Sequence, residues 1–209
     1  FQRDCERITS SQAFRCLQYK TQLFGTFEED IFRNRLTHTL EVTQITRSIA
    51  RKLQLNEDLS EAISLAHDLG HTPFAHAGQD ALNQCLQDLG GFDHNIQALR
   101  VVDKLEIKYG AFNGLNLTFE VREGIVKDRL SKNSRIFLYG YDKGKKGTEG
   151  CSPSLEAQLV NVVDEIVYTA HDIDDGFRSG LLRIQQLSES QVLHEIWYDV
   201  IAIFPGLDI

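Results

Sequence analysis

Five of the seven histidines fall between His38 and His94, three of them in the run AHDLGHTPFAH from Ala66 to His76. A lone histidine on a helix is ordinarily packed or solvated, so the cluster is what points to chemistry. His67 and Asp68 are adjacent, about 100° apart around a helix, and both can reach one ion in the wedge between them. They come just before Gly70, at the end of an otherwise apolar stretch. An imidazole and a carboxylate buried there are costly unless something satisfies both. A divalent ion does so, and mixed histidine and carboxylate donors suit Mn, Fe, Mg or Zn over a thiolate-preferring site; the expectation is Mn²⁺ or Mg²⁺, with Fe, Ni, Co or Zn behind. Further along, Asp164, Tyr168, His171 and Asp172 are spaced i, i+4, i+7 and i+8, and therefore share one helical face. They span about 12 Å, enough for a metal at one end and a sugar at the other. Asp164 lies between Val162-Val163 and Ile166-Val167, an odd place for a free carboxylate, whereas Asp174 and Asp175 read as a solvated stripe. Arg35, one turn before His38, has the forked geometry that grips two phosphate oxygens.

Helices must position these groups. Leu36, Leu40, Ile45, Ile49 and Leu53 recur at helical spacing and predict a helix over 33–53 with those residues inward. Asn56 is placed to cap a second helix, with Glu57 and Asp58 in its first turn and Gly70 closing it. A third is predicted from Gln79 to Leu89, stopped by Gly90-Gly91. Asp93 caps a fourth, with Ile96, Leu99, Val102 and Leu105 inward, and Thr118 starts a short one toward Leu130. Ser154 opens a long helix carrying Leu155, Leu159, Val162, Val163, Ile166 and Val167. Ser188 and Gln191 form a capping box for a last one. Residues 131–150 are rich in Gly and Lys around a strand-like island, Ile136–Tyr141, and read as an excursion. Lys143, Lys145 and Lys146 there suit a solvated loop or an anion contact, and His194 reads as structural or solvated. The expected fold is all-α, a single helical-bundle domain over 1–209.

Composition narrows the function classes. The chain has 209 residues, 42% apolar and 25% charged, with a formal charge of −8. That length builds one sizeable core. The acidic balance disfavours nucleic acid as the main partner, because gripping a phosphate backbone needs clustered cations. A small anionic substrate fits, since a local site can be positive inside a negative envelope. No apolar run approaches a membrane span. Cys5, Cys16, Cys85 and Cys151 lie far apart, as expected of reduced thiols and a cytoplasmic protein. The chain starts at Phe1 and contains no Met, so absences near its ends carry little weight.

The order His38, His67-Asp68, Asp164 resembles the H…HD…D pattern of HD-domain phosphohydrolases. More specifically, RNRLTHTLEV (33–42), AHDLGHTPFAHAG (66–78), GGFDHNIQALR (90–100) and SLEAQLVNVVDEIVYTAHDIDDG (154–176) are similar to the deoxyguanosine triphosphate triphosphohydrolase branch. So is the opening RDCERITSSQAFRCLQYKTQ (3–22). The resemblance implies a bundle in which His38, His67, Asp68 and Asp164 hold the divalent ion. His76 would act at the α-phosphate of a deoxynucleoside triphosphate, with His94 a second active-site histidine and His71 and Arg35 against the phosphates. Gln22 and Asp172 would bond the deoxyribose 3′-hydroxyl, and Tyr168 would pack on the sugar. It also implies a homo-oligomer. The branch usually carries a carboxylate three residues after His76; this chain has Gln79, which can still orient His76 but adds no charge. Two alternatives stay open: an HD-type monophosphate or phosphodiester hydrolase, and a domain that senses dNTP without turnover.

Overall fold

The computed structural model describes residues 1–24, 31–126, 152–183, 186 and 189–205, and among them the protein is all-α. The excursion at 131–150, its strand-like island, the lysine run and Ser188 lie outside the described residues. Helices α1 (Gln2–Thr9) and α2 (Gln12–Cys16) lead into α3 (Arg35–Leu53). A reciprocal capping box starts α3: Asn34 Oδ1 accepts from the Thr37 amide at 3.0 Å, and Thr37 Oγ1 accepts from the Asn34 amide at 3.2 Å. Gln54 ends it in the left-handed conformation, φ 57°.

The inward face of α3 is not the one its apolar spacing predicts. Leu40, Ile45 and Leu53 are exposed, while Arg35, His38, Thr39, Val42, Thr43, Thr46 and Ala50 are buried. That stripe follows the i, i+3, i+4, i+7 rule, but most of its members are polar because the site itself faces inward. Thr43 satisfies its hydroxyl locally by donating to the Thr39 carbonyl at 2.7 Å.

Helix α4 (Glu57–Ala66) is capped by Asn56, which accepts from the Leu59 amide at 3.0 Å. It is buried from Leu59 to Ala66 except for Glu61, and forms the middle of the core with Ile8, Leu17, Leu99, Leu115 and Ile125. It stops at Ala66, so His67–Gly70 form a turn. Gly70 is there because a Cβ would strike the His94 carbonyl and the Ala98 backbone of the helix packed beside it.

Helix α5 spans Ala75–Cys85, four residues ahead of the predicted start, and a 3₁₀ turn at Gln87–Leu89 follows. It begins where Phe74 and Ala75 both take positive φ, and it buries none of its residues. Asp93 caps α6 (His94–Arg100) by accepting from the Asn95 and Ile96 amides at 2.9 and 3.0 Å. A π-helical turn, Val101–Leu105, comes next. Its wider turn rotates the register, which leaves Leu105 exposed although Leu99 and Val102 are buried as predicted. Helix α7 is Phe119–Val126.

Ser154 opens α8 (Leu155–Arg178) by accepting from the Ala157 amide at 3.2 Å. Ala157, Val160, Val163 and Val167 are buried; Leu155, Val162 and Ile166 are exposed. Val163 and Val167 pack with Val42 of α3 in a second, smaller apolar cluster. The chain divides into two units, Phe1–Tyr168 and Thr169–Ile209. The second holds the end of α8 and helix α9 (Gln191–Ile203), whose N-cap is Ser190, not Ser188, and makes no side-chain cap bond. Within this unit Asp174 pairs with Arg178 at 3.2 Å, while Asp175 is buried instead of solvated. The His194 ring meets Tyr198 edge-on at 4.6 Å. No described helix is long and apolar enough to cross a membrane.

Candidate active site

Helices α3, α4 and α8 of the first unit bring the four predicted metal ligands together. Donor atoms of His38, His67 and Asp68 lie within 4.8 Å of one another, and all three residues are buried. Asp164 joins them: its Oδ1 is 3.1 Å from His38 Nε2 and 3.5 Å from His67 Nε2. His67 Nε2 is also 3.6 Å from Asp68 Oδ1. His67 Nδ1 sits 2.6 Å from the Ser64 carbonyl, which only accepts, so Nδ1 carries the proton and Nε2 presents its lone pair. A backbone carbonyl fixing the far nitrogen is how proteins orient a ligating imidazole. Two imidazoles and two carboxylates converging in this way fit a divalent ion.

Arg35 is paired more closely than the sequence suggests. Its Nη1 donates to Asp68 Oδ2 at 2.6 Å, with both side chains buried. Burial alone would push the Asp68 carboxyl up; the electrostatic influence of neighbouring His67, Arg35 and His71 reverses this and holds it well below the usual carboxylate range. The Nε of Arg35 is buried with no hydrogen-bond partner among the described residues. Half-buried Lys20 adds a second nearby cation, donating to the Leu69 carbonyl at 3.4 Å; burial, chiefly, lowers its pKa.

Beside this centre stand His71, His76 and His94. The His71 ring is 5.7 Å from His76, nearly perpendicular to it, and 5.0 Å from His94. Burial first, and then Arg35, pushes the His71 imidazole down to about 3, so it is neutral near pH 7. Gln79 does not serve the expected partner. Its Oε1 faces Nδ1 of His94 at 2.5 Å and the His94 backbone amide at 3.4 Å. The close approach of Gly70 to α6 sets His94 beside the α5 face that carries Gln79, and sequence spacing has no view of that approach.

The two groups share one cleft of about 570 Å³. Gln22, Arg35, His38, Asp68, His71, His76, His94, Asp164 and Tyr168 all line it. His67 lies against the centre without lining the cleft, and Asp172 is one turn beyond Tyr168 on α8, among the residues of the second unit. Three lining residues escaped the sequence reading: Asn95, Asn161 and Glu165. Asn161 was legible, since it precedes Asp164 and Tyr168 by three and seven residues on one face. Glu165 beside Asp164 and Asn95 beside His94 carry no such signal. Side-chain oxygens of Gln22, Asn95 and Asn161 are buried without a hydrogen-bond partner among the described residues.

This fold and this centre coincide with a known family. The HD domain model matches residues 35–169, a span that contains all four predicted metal ligands, and the chain belongs to the HD domain family. Among curated relatives, it is 59% identical over 207 residues to a deoxyguanosinetriphosphate triphosphohydrolase-like protein of Ralstonia nicotianae, covering 99% of this chain and 53% of that one. It is 63% identical over 189 residues to the like-named protein of Ralstonia pickettii, covering 90% and 48%. A third of that name, from an Azoarcus species, is 57% identical over 207 residues, covering 99% and 54%. The resemblance of the motifs to that branch is therefore borne out, and the chain spans about half the length of these relatives.

Proposed function

We propose that this domain hydrolyses deoxynucleoside triphosphates in a metal-dependent reaction, releasing deoxynucleoside and intact tripolyphosphate. The observation that carries the reading is the single cleft in which a histidine–carboxylate centre and a three-histidine group lie side by side. Its volume, about 570 Å³, falls within the range of small-molecule sites. The names of the relatives support the substrate class.

His38, His67, Asp68 and Asp164 would hold the ion, which when bound supplies Lewis-acid neutralisation of phosphate charge. Arg35 offers its Nε–H, which has no partner among the described residues, to a phosphate oxygen while its Nη1 stays on Asp68. Water attacks the α-phosphorus, the bond to the 5′-oxygen breaks, and that oxygen takes up a proton. His76 and His94 stand where one can accept a proton from water and the other can return one to the leaving oxygen. His71, neutral and buried, lies against both rings and limits their freedom. Gln22, whose buried side-chain oxygen has no hydrogen-bond partner among the described residues, suits the 3′-hydroxyl, and the half-exposed Tyr168 ring suits the sugar.

The test is ion-exchange separation of products after incubation with each dNTP, with Mn²⁺ or Mg²⁺ and a metal-free control. Metal-dependent tripolyphosphate, abolished in His67→Ala, is the expected result. Free phosphate from monophosphates, a linearised nucleotide, or tight dNTP binding without product would each overturn it.

A further inference from the structure

Gln79 stands three residues after His76, where the branch this chain resembles usually carries a carboxylate, and its hydrogen bonds say what it does there. The two ends of a glutamine amide look alike, but a backbone N–H can only donate. The atom of Gln79 that faces the His94 amide at 3.4 Å is therefore the oxygen. The same oxygen lies 2.5 Å from His94 Nδ1, so Nδ1 must carry a proton to donate to it. Neutral His94 is then held as the Nδ1–H tautomer, and its Nε2 presents a lone pair. His71 repeats the pattern more weakly, with Nδ1 3.4 Å from the Thr72 carbonyl.

We infer that Gln79 is a positioning residue: it locks His94 as a hydrogen-bond acceptor through Nε2, and so makes it the proton-accepting member of the pair that His76 completes. This rests on the hydrolytic reading given above and deepens it, since that reading leaves the two histidines interchangeable. A carboxylate at position 79 would accept the same bond but would also favour the imidazolium, which donates from both nitrogens and cannot accept. A neutral amide fixes the tautomer without promoting the charge. The charged and titratable groups sharing the cleft with His94 are His71 and His76, Arg35 and His38 of α3, Asp68, Asp93 at the cap, and Asp164, Glu165 and Tyr168 of α8.

The experiment uses the full chain labelled with ¹⁵N-histidine, whose long-range ¹H–¹⁵N correlations distinguish the tautomers without any turnover. At pH 8, His94 should show a protonated-type Nδ1 and an unprotonated-type Nε2. Gln79→Leu should release it into a mixture of tautomers and lower kcat more than KM. Gln79→Glu should keep the Nδ1–H form but move the acidic limb of the kcat profile up by about one to three pH units. An Nε2–H tautomer in the unsubstituted protein, or profiles for both variants that superimpose on it, would overturn the inference. If the tautomer is as stated but no dNTP yields tripolyphosphate, the hydrolytic reading fails and the inferred role fails with it, while the bond itself stands.

Discussion

Replacing Arg35 with methionine keeps the length of the side chain and deletes the charge that faces Asp68. The pair is close, Nη1 to Oδ2 2.6 Å, and the two side chains are 6% and 8% exposed. At an effective dielectric of about 20, that separation is worth about 6 kcal/mol. The variant no longer has to desolvate a guanidinium, which offsets part of the loss and leaves a cost of about 3–5 kcal/mol. With a urea slope of about 2 kcal/mol/M, the midpoint should fall by roughly 2 M. The assay is urea unfolding followed by far-ultraviolet circular dichroism at pH 7 in metal-free buffer. Arg35→Met with Asp68→Asn should cost well below the sum of the two single changes, because neither charge is then left alone. Adding Mn²⁺ should narrow the gap between Arg35→Met and the parent, since the ion gives Asp68 a second counter-charge. A loss below about 1 kcal/mol, the size expected of an exposed pair, or strict additivity in the double variant, would refute the reasoning.

Two further outcomes follow from the geometry. His71 is held down at about 3 against an ordinary 6.5, so between those values the unfolded chain binds the proton that the folded chain refuses. Its contribution to stability is complete above about pH 6.5 and is lost as pH falls toward 3; His71→Asn should flatten that slope, and a steeper one in urea titrations at pH 7 and 5 would contradict it. Gly70→Ala puts a methyl against the His94 carbonyl and the Ala98 backbone, neither of which can swing away. It should lower stability by about 1–3 kcal/mol and reduce kcat by displacing His94 from His71, and unchanged thermal unfolding with full activity would show that α4 and α6 can part freely.

Much of the site was legible in the chain itself. The converging set His38, His67, Asp68 and Asp164 could be named because residue type and order are local facts, and a histidine beside a carboxylate in an apolar stretch is a costly pairing. The caps at Asn56, Asp93 and Ser154 were legible for the same reason, since each is one side chain bonding an amide two or three residues on. Helix faces were harder. On α3 the apolar spacing pointed to Leu40 and Ile45, but the helix turns Thr39, Thr43 and Thr46 inward along with His38. Periodicity weighs apolar residues alone, and here the face that matters is the one the site needs.

What tertiary structure decided are the pairings between distant residues. His38 and Asp164 meet across 126 residues, Arg35 and Asp68 across 33, and Gln79 and His94 across 15. Each depends on how closely two helices approach, and that depends on contacts such as Gly70 against α6, whose meaning appears only when the neighbour is in place. The identity of the chemistry is therefore a property of the residues in order. Which histidine Gln79 holds, and which cation answers Asp68, is a property of the packing.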